Sequence, residues 1–255
     1  MLAMLEFYLD DSGTHKQAEV AVWGGIVGYP HFMQQLSEAW ERQLLAPCDG
    51  KPPIRAFHSS HLFNGWGEFA GYSQAEKDLT RWNFRKIIVE AGVTLLAYGI
   101  SIVDWREVVT GEAKIMLGDA ERAIFGVAVM EGCRAALGEG QPISFQFDKG
   151  RDTPELRSII QPAIEVAEAE SQFVSYGFSP VAQMPTLQAA DLVAHETYQF
   201  FKKYRRDPNA QVGAHTNRLF ADAHDSRAGW LGREQIQAMA DGIRRAVAQN
   251  DGEEV

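Results

Sequence analysis

The chain has 255 residues, 45% of them hydrophobic and 23% charged, which is typical of a globular protein with a full apolar core. Its formal net charge of −10 argues against binding nucleic acid through a broad basic surface. Cys48 and Cys133 lie far apart without metal-binding spacing, so we expect no thiolate metal cage and predict a cytoplasmic protein. No apolar run approaches the roughly 20 residues that a bilayer span needs, so no membrane partner is expected.

The first part of the chain predicts a β-hairpin followed by helices around an irregular, histidine-containing segment at 48–69. Alternating polar and apolar residues that stop at an Asp-Ser-Gly turn signal predict the first strand. The second helix has a capping box formed by Ser73 and Glu76 and a terminating Gly92. In chain order, the predicted elements are a strand at Leu5–Asp10, a strand at Glu19–Tyr29, a helix at Phe32–Leu45 and a helix at Ser73–Gly92.

The rest of the chain alternates strands and helices, so we predict an α/β protein with a mixed five-stranded sheet flanked by helices. No repeat or composition break divides the chain. We therefore predict a single domain, 1–255, with a helical and loop insertion at about 30–92. The predicted strands are Val93–Trp105, Pro142–Gly150 and Ser171–Ser179, and the predicted helices are Glu112–Leu137, Asp152–Glu170, Thr186–Tyr204 and Arg233–Ala248.

Two of the predicted strands end in an aspartate. Because side chains alternate between the two faces of a strand, Asp10 and Asp148 each lie on the less apolar face, at the last position. If the strands are neighbours, the carboxylates converge at the edge of the sheet where ligands bind in α/β proteins. Asp11 would then point away and form a turn with the residues that follow it. Taken singly, each aspartate is more typical of a turn.

A third carboxylate lies on the apolar helix Thr186–Tyr204. Residues of a helix advance by about 100° each, so Gln188, Asp191 and His195 form one narrow polar stripe. Small and apolar residues surround this stripe, which is therefore either paired inside the protein or part of a site.

Three carboxylates within about 4 Å of one another would repel by roughly 4 kcal/mol per pair at an effective dielectric constant near 20. At neutral pH a hard divalent cation, Mg²⁺ or Mn²⁺, is the usual solution. Such an ion polarises a phosphoryl oxygen and activates water, which is the chemistry that phosphodiester hydrolysis needs. Asp10, Asp148 and Asp191 are therefore the predicted catalytic residues and metal ligands.

Three motifs resemble those of the DUF3800 family: "YLDDSG" near the N-terminus, "FD" closing a late strand and "PTLQAADLVAHETY" on a later helix. The family usually has a glutamate where this chain has Asp11. The resemblance implies an RNase H-like fold with Asp10, Asp148 and Asp191 as metal ligands. It also implies a fourth acid on the helix after the third strand, where Glu112 and Glu121 are both candidates.

Other polar residues are predicted to support this site. His58 could carry a proton or bind a phosphate, or it could cap a glycine-rich loop together with His61. His195 could ligate the metal or orient Asp191, and Lys149 could stabilise phosphate charge or be a solvated turn residue. The tryptophans are interpreted as packing residues rather than base-stacking platforms; they are Trp66, Trp82 and Trp105.

Three functions are compatible with these patterns. The leading hypothesis is a metal-dependent nuclease that acts on RNA or DNA. The second is a catalytically weak or inactive module of a defence or mobile-element system that binds nucleic acid or protein. The third is a small-molecule phosphatase or nucleotide hydrolase, which the acidic net charge favours.

Overall fold

A computed structural model describes residues 4–15, 17–211 and 213–252. A six-stranded mixed sheet forms the centre of the fold. Its strands are β1 (Leu5–Ser12), β2 (Val20–Gly28), β3 (Thr94–Ser101), β4 (Ile143–Asp148), β5 (Phe173–Ser179) and β6 (Asp225–Leu231). The helices are α1 (Pro30–Leu45), α2 (Ser59–Asn64), α3 (Gln74–Glu90), α4 (Ile102–Val108), α5 (Gly111–Leu117), α6 (Ala120–Glu139), α7 (Pro154–Val166), α8 (Pro185–Arg206), α9 (Ala214–Ala221) and α10 (Arg233–Gly252).

The strands are arranged in the order β5-β4-β1-β2-β3-β6. The three strands β1, β2 and β3 form an antiparallel meander. On one side of it β4 runs parallel to β1 and β5 parallel to β4, and on the other side β6 runs parallel to β3. The predicted α/β class and mixed sheet flanked by helices are confirmed, whereas the predicted count of five strands is wrong.

The additional strand, β6, is a half-exposed edge strand with the sequence "DSRAGWL". It has neither the strict alternation nor the run of β-branched residues that marks a strand in sequence. Its pairing with the open edge of β3 determines its conformation. Helix α9, which precedes it, was likewise not predicted.

Local capping explains two further differences from the sequence prediction. The chain leaves β3 at Ser101, whose Oγ accepts the N–H of Asp104 at 3.2 Å and starts α4 where a continuous strand to Trp105 was expected. The predicted helix Glu112–Leu137 is interrupted at Gly118, which has a φ of 71°. Asp119 then accepts the N–H of Arg122 at 2.9 Å and starts α6.

The two faces of the sheet pack against different helices. On one face Phe7, Phe145 and Phe147 pack against α6 and α7, in the cluster that also holds Cys133. Burial raises the pKa of Cys133 to about 12, and Cys48 is also buried with a free thiol. The other face is covered by α8 and by α1 and α3, which lie between β2 and β3 in sequence. Within the described ranges, no helix is long and apolar enough to cross a membrane.

Helix α8 lies unusually close to the centre of the sheet because glycines face it. A Cβ added at Gly24 of β2 would lie 2.9 Å from the Cα of Ala194, and one added at Gly99 of β3 would lie 2.4 Å from the ring of Phe201. A side chain at either position would push the helix away from the strands. This close packing brings the polar stripe of α8 to β1.

Candidate functional site

Asp10 and Asp148 lie side by side on neighbouring parallel strands. Leu9 pairs with Phe147 between β1 and β4, so the next residues along the two strands are these aspartates. Adjacent strands are about 4.8 Å apart, and both side chains take the face that α8 covers. Asp10 lies within β1 opposite Gly24 of β2, because the strand continues to Ser12 rather than ending at Asp10 as predicted. Its carboxylate is buried, with only 7% of the residue exposed.

Asp191 faces the same region from α8. Its Oδ2 accepts the backbone N–H of Ser59 at 2.8 Å, and its side chain is 13% exposed. This bond joins α8 to the start of α2.

The pKa of the Asp10 carboxyl is raised well above its usual range, first by burial and then by the negative charges of Asp191, Asp11 and Asp148. A hydrogen bond of 2.8 Å from the backbone N–H of Asp11 to Asp10 Oδ1 only partly opposes this effect. Among the residues that the structure describes, no lysine or arginine is ion-paired with Asp10, Asp148 or Asp191. The ionised form of Asp10 therefore lacks a compensating cation.

Asp11 is in a different situation, because it faces the opposite side of the sheet and has its own cation. The Nε of Arg151 lies 3.1 Å from Asp11 Oδ1, and the Thr14 hydroxyl donates to the other oxygen. Burial raises the pKa of Asp11, and Arg151 acts in the opposite direction. Arg151 also pairs with Glu121 at the start of α6. Asp11 and Glu121 thus share one guanidinium.

This arrangement distinguishes the two candidates for a fourth acid. Glu121 is connected to the end of β1 through Arg151, and its side chain is 28% exposed. Glu112 lies on the exposed side of α5. The structure therefore brings Glu121 close to Asp11, on the face of the sheet opposite Asp10 and Asp148.

His58 is the histidine that the structure places beside Asp191. Its Nδ1 lies 3.8 Å from Asp191 Oδ2, which is longer than a hydrogen bond and makes the contact ionic, and the side chain is 39% exposed. Asp191 is the main cause of a raised pKa at His58, and Asp148 and Glu68 add to it against the opposing effect of burial. His58 is therefore a solvent-accessible imidazole at the edge of the carboxylate group.

Gln188 is buried and holds the backbone next to His58. Its Oε1 accepts the Trp40 indole N–H at 3.0 Å and the Phe57 N–H at 2.8 Å. Its Nε2 donates to the carbonyls of Val181 and Ala182 at 3.3 and 3.4 Å. These four partners occupy the amide, so Gln188 positions the loop and is not free to bind a ligand.

His195 is also buried, one turn along α8 from Asp191. Its ring lies 4.3 Å from that of Phe63, and its Nε2 is 3.1 Å from the amide of Gln199. Burial lowers the pKa of His195, so this imidazole is neutral at neutral pH. The next residue, Glu196, is fully buried and paired with Arg81 and Thr216.

Lys149 is exposed in the turn that follows Asp148. The turn also contains Gly150, where an added Cβ would lie 2.6 Å from Asp148 Oδ2. A side chain at this position would displace the carboxylate. The contributions of Gly24, Gly150 and Arg151 were not predicted, although Gly150 follows Asp148 by two residues and was a visible signal.

The donor set fits a hard cation, although it is not a preformed cage. Asp10, Asp148 and Asp191 supply only oxygen donors, and none is paired with a lysine or arginine of the described chain, although His58 lies 3.8 Å from Asp191. In residues 4–15, 17–211 and 213–252, no three histidine, cysteine, aspartate or glutamate side chains are already arranged closely enough to surround a metal ion. A cation at this position would relieve the repulsion at Asp10 and draw the carboxylates together.

No protein-family model matches the chain, and no curated protein is similar enough to be counted as a relative. The resemblance to the DUF3800 family therefore depends on the three sequence motifs and stays a prediction.

Proposed function

We propose that the protein is a divalent-metal-dependent phosphodiesterase of RNase H-like fold that cleaves RNA or DNA. The observation that carries this proposal is the buried Asp10 carboxylate, which faces Asp148 and Asp191 without a lysine or arginine partner among the described residues. Mg²⁺ or Mn²⁺ held by these aspartates would supply the missing positive charge. The ion would polarise a phosphoryl oxygen and lower the pKa of a bound water.

The sheet supports the RNase H-like part of the proposal. An antiparallel meander is extended from β1 by two parallel strands, and two of the three aspartates lie on the neighbouring strands β1 and β4. Helix α8 packs mainly on β1 and β2 and supplies the third. A fold match of this kind is an analogy, so the function depends on the site rather than on the topology.

The surrounding residues have separate tasks in this proposal. His58 is exposed and its pKa is raised, so it can give a proton to the leaving oxygen at the edge of the site. Gln188 fixes the backbone before His58 and thereby positions it. Glu121, a candidate for the fourth acid, is paired with Arg151 on the face of the sheet that Asp11 occupies, so it is given no role at the metal in this proposal. Lys149 lies at the mouth of the site, where it can meet a phosphate.

The test is cleavage of labelled single-stranded and double-stranded RNA and DNA with Mn²⁺, Mg²⁺ or a chelator. We expect divalent-dependent cleavage by the wild type and at least a hundredfold loss in Asp10→Asn. Asp241→Asn is the matched control, since Asp241 pairs with Arg244 on α10. Equal cleavage by wild type and Asp10→Asn would remove the proposal.

The second candidate is a binding module without chemistry, and the lack of a preformed three-acid cluster among the described residues favours it. In this case the aspartates would be a weak ion site or would hold protons. A protein that binds nucleic acid in millimolar Mn²⁺ but leaves it intact over hours would support this candidate instead of the enzyme.

A further inference from the structure

Trp66 is exposed in the same segment that brings His58 to the carboxylates. It is 61% exposed, whereas Trp105 is buried at 1%. In the described part of the chain no other aromatic ring lies against Trp66, and its exposure does not fit the interpretation of Trp66 as a packing residue. An exposed indole offers a large flat aromatic face on which a base can stack.

The backbone that carries Trp66 is held firmly. Its N–H donates to the carbonyl of His61 at 2.9 Å, and its own carbonyl accepts the N–H of Phe69 at 3.0 Å. The Glu68 carboxylate accepts the N–H of Arg55 at 2.9 Å, which ties the two sides of the segment together. A ligand that stacks on this ring would therefore order few additional degrees of freedom.

Basic groups lie beside the two glycines that flank Trp66 in the sequence. A Cβ added at Gly65 would be 2.9 Å from the Nζ of Lys77, and one added at Gly67 would be 3.2 Å from the Nδ1 of His61. Residues 51–66 contain no aspartate or glutamate, although the whole chain has 34 of them. Glu68, the first carboxylate after this stretch, accepts the backbone N–H groups of Arg55 and Ala56. A phosphate beside residues 51–66 would therefore meet no acidic side chain of that stretch.

We propose that Trp66 is a stacking platform for one base of a single-stranded nucleic acid, with the adjacent phosphates against Lys77 and His61. The inference rests on the proposed function and specifies its substrate class. In a duplex the base faces are covered, so only an unpaired base can stack on an indole. Helix α2, which separates His58 from Trp66, has six residues and spans about 9 Å, the length of one or two nucleotides.

The dependence on stacking also follows from the charge of the protein. A broad basic surface binds nucleic acid by releasing counterions, and its affinity falls steeply with salt. A phosphate contact to the single lysine gives a shallow dependence, with a slope of about −0.7 in a plot of log affinity against log salt. Stacking on Trp66 then supplies most of the affinity and is little affected by salt.

The experiment measures binding of a fluorescein-labelled single-stranded oligothymidylate by anisotropy in a chelator, where no cleavage can occur. We expect Trp66→Ala to weaken binding about tenfold or more and Trp66→Phe, which keeps a ring, to weaken it less than threefold. Trp82→Ala is the matched control, because Trp82 is 37% exposed on α3 and lies against Arg85 and Arg218. Circular dichroism verifies that each variant is folded.

An affinity that is unchanged in Trp66→Ala, or no binding of the oligothymidylate by the wild type, overturns the inference. Self-association that depends on Trp66 in a protein that does not bind the oligothymidylate would also overturn it in favour of a protein interface. Cleavage that is equal in wild type and Trp66→Ala leaves the proposed function intact and rejects only the platform. Binding that depends on Trp66 in a protein that cleaves no nucleic acid supports the platform and rejects the proposed function.

Discussion

At the scale of single residues, the protonation state of Asp10 connects stability with the proposed chemistry. Its carboxyl is buried beside three other acids, and its pKa in the folded protein is raised above the value in the unfolded chain. Ionising Asp10 therefore opposes folding. This cost is absent below the pKa of the unfolded chain, near 3.9, and grows as the pH rises above that value.

The variant Asp10→Asn should accordingly stabilise the metal-free protein at pH 7 by on the order of 1 kcal/mol or more. The gain should disappear below about pH 3, where the wild-type carboxyl is protonated in both states. Urea unfolding in a chelator at the two pH values measures the free energy of unfolding. The control Asp241→Asn should change it by less than about 0.5 kcal/mol. A loss of stability in Asp10→Asn at pH 7 would mean that the carboxylate is satisfied in a way that the structure does not show.

A second residue, Glu196, is buried as deeply as Asp10 but fully paired. Glu196→Gln removes the charge that Arg81 and Thr216 contact, and Arg81 is itself only 14% exposed. Breaking one partner of a buried pair costs about 3 kcal/mol, and we expect a loss of that size in urea unfolding. Glu90→Gln, which breaks the exposed pair with Lys86, should cost less than about 0.5 kcal/mol. Similar losses in the two variants would contradict the distinction between buried and exposed pairs.

At the scale of elements, the site depends on how closely α8 approaches the sheet. Asp10 and Asp148 are fixed by the pairing of β1 and β4, while Asp191 is positioned only by helix packing. Gly24 and Ala194 allow that packing, and the bond from Ser59 to Asp191 attaches α2 to the same helix. The position of Asp191 therefore depends on Gly24, which has no side chain.

Gly24→Ala tests this dependence. The new Cβ meets the backbone of α8 at 2.9 Å, so the helix must shift and the protein should lose about 1–3 kcal/mol of stability. If the proposed activity is present, it should fall more than tenfold, because Asp191 moves with the helix. Gly242→Ala on α10 is the control, since its Cβ meets nothing within 4 Å, and it should be neutral or stabilising. Full activity in Gly24→Ala would show that the packing tolerates the methyl group.

The elements also show what a sequence can and cannot reveal. Helix α3 was predicted closely because its capping box and Gly92 are local signals, and the structure has the reciprocal bonds between Ser73 and Glu76. The break at Gly118 was missed because apolar residues occur on both sides of it. The strand β6 was missed because apolar residues are scarce in it. The aspartates were placed by strand alternation and helix periodicity. Arg151 was not, since its two carboxylate partners come from distant parts of the chain.

At the scale of the whole molecule, some basic residues form internal ion pairs and others do not. In the basic run at the end of α8, Arg205 and Arg206 are paired within the protein, because they lie 3.4 and 3.3 Å from Glu19. These residues are therefore poor candidates for a nucleic-acid surface. The basic residues near Trp66, which are Lys77 and His61, and the carboxylates around Asp10 are the groups that we propose bind the ligand.

A bound cation should stabilise the whole fold. Mn²⁺ at about 100 times its dissociation constant adds roughly 2.7 kcal/mol to the free energy of unfolding, so the midpoint of thermal unfolding should rise by several degrees. The rise should be absent in Asp10→Asn and present in Asp241→Asn. Differential scanning fluorimetry over a series of Mn²⁺ concentrations measures it. An equal rise in wild type and Asp10→Asn would place the ion elsewhere.

The burial of both sulfhydryls has a practical consequence. Because Cys48 and Cys133 are buried, the native protein has no accessible thiol that a maleimide dye could label. A cysteine introduced at an exposed position of the insertion, such as Ser60→Cys, would then take up a single fluorophore without any change to the core. Such a reporter could follow in real time whether the segment that carries His58 and Trp66 swings relative to the strands when a polynucleotide arrives.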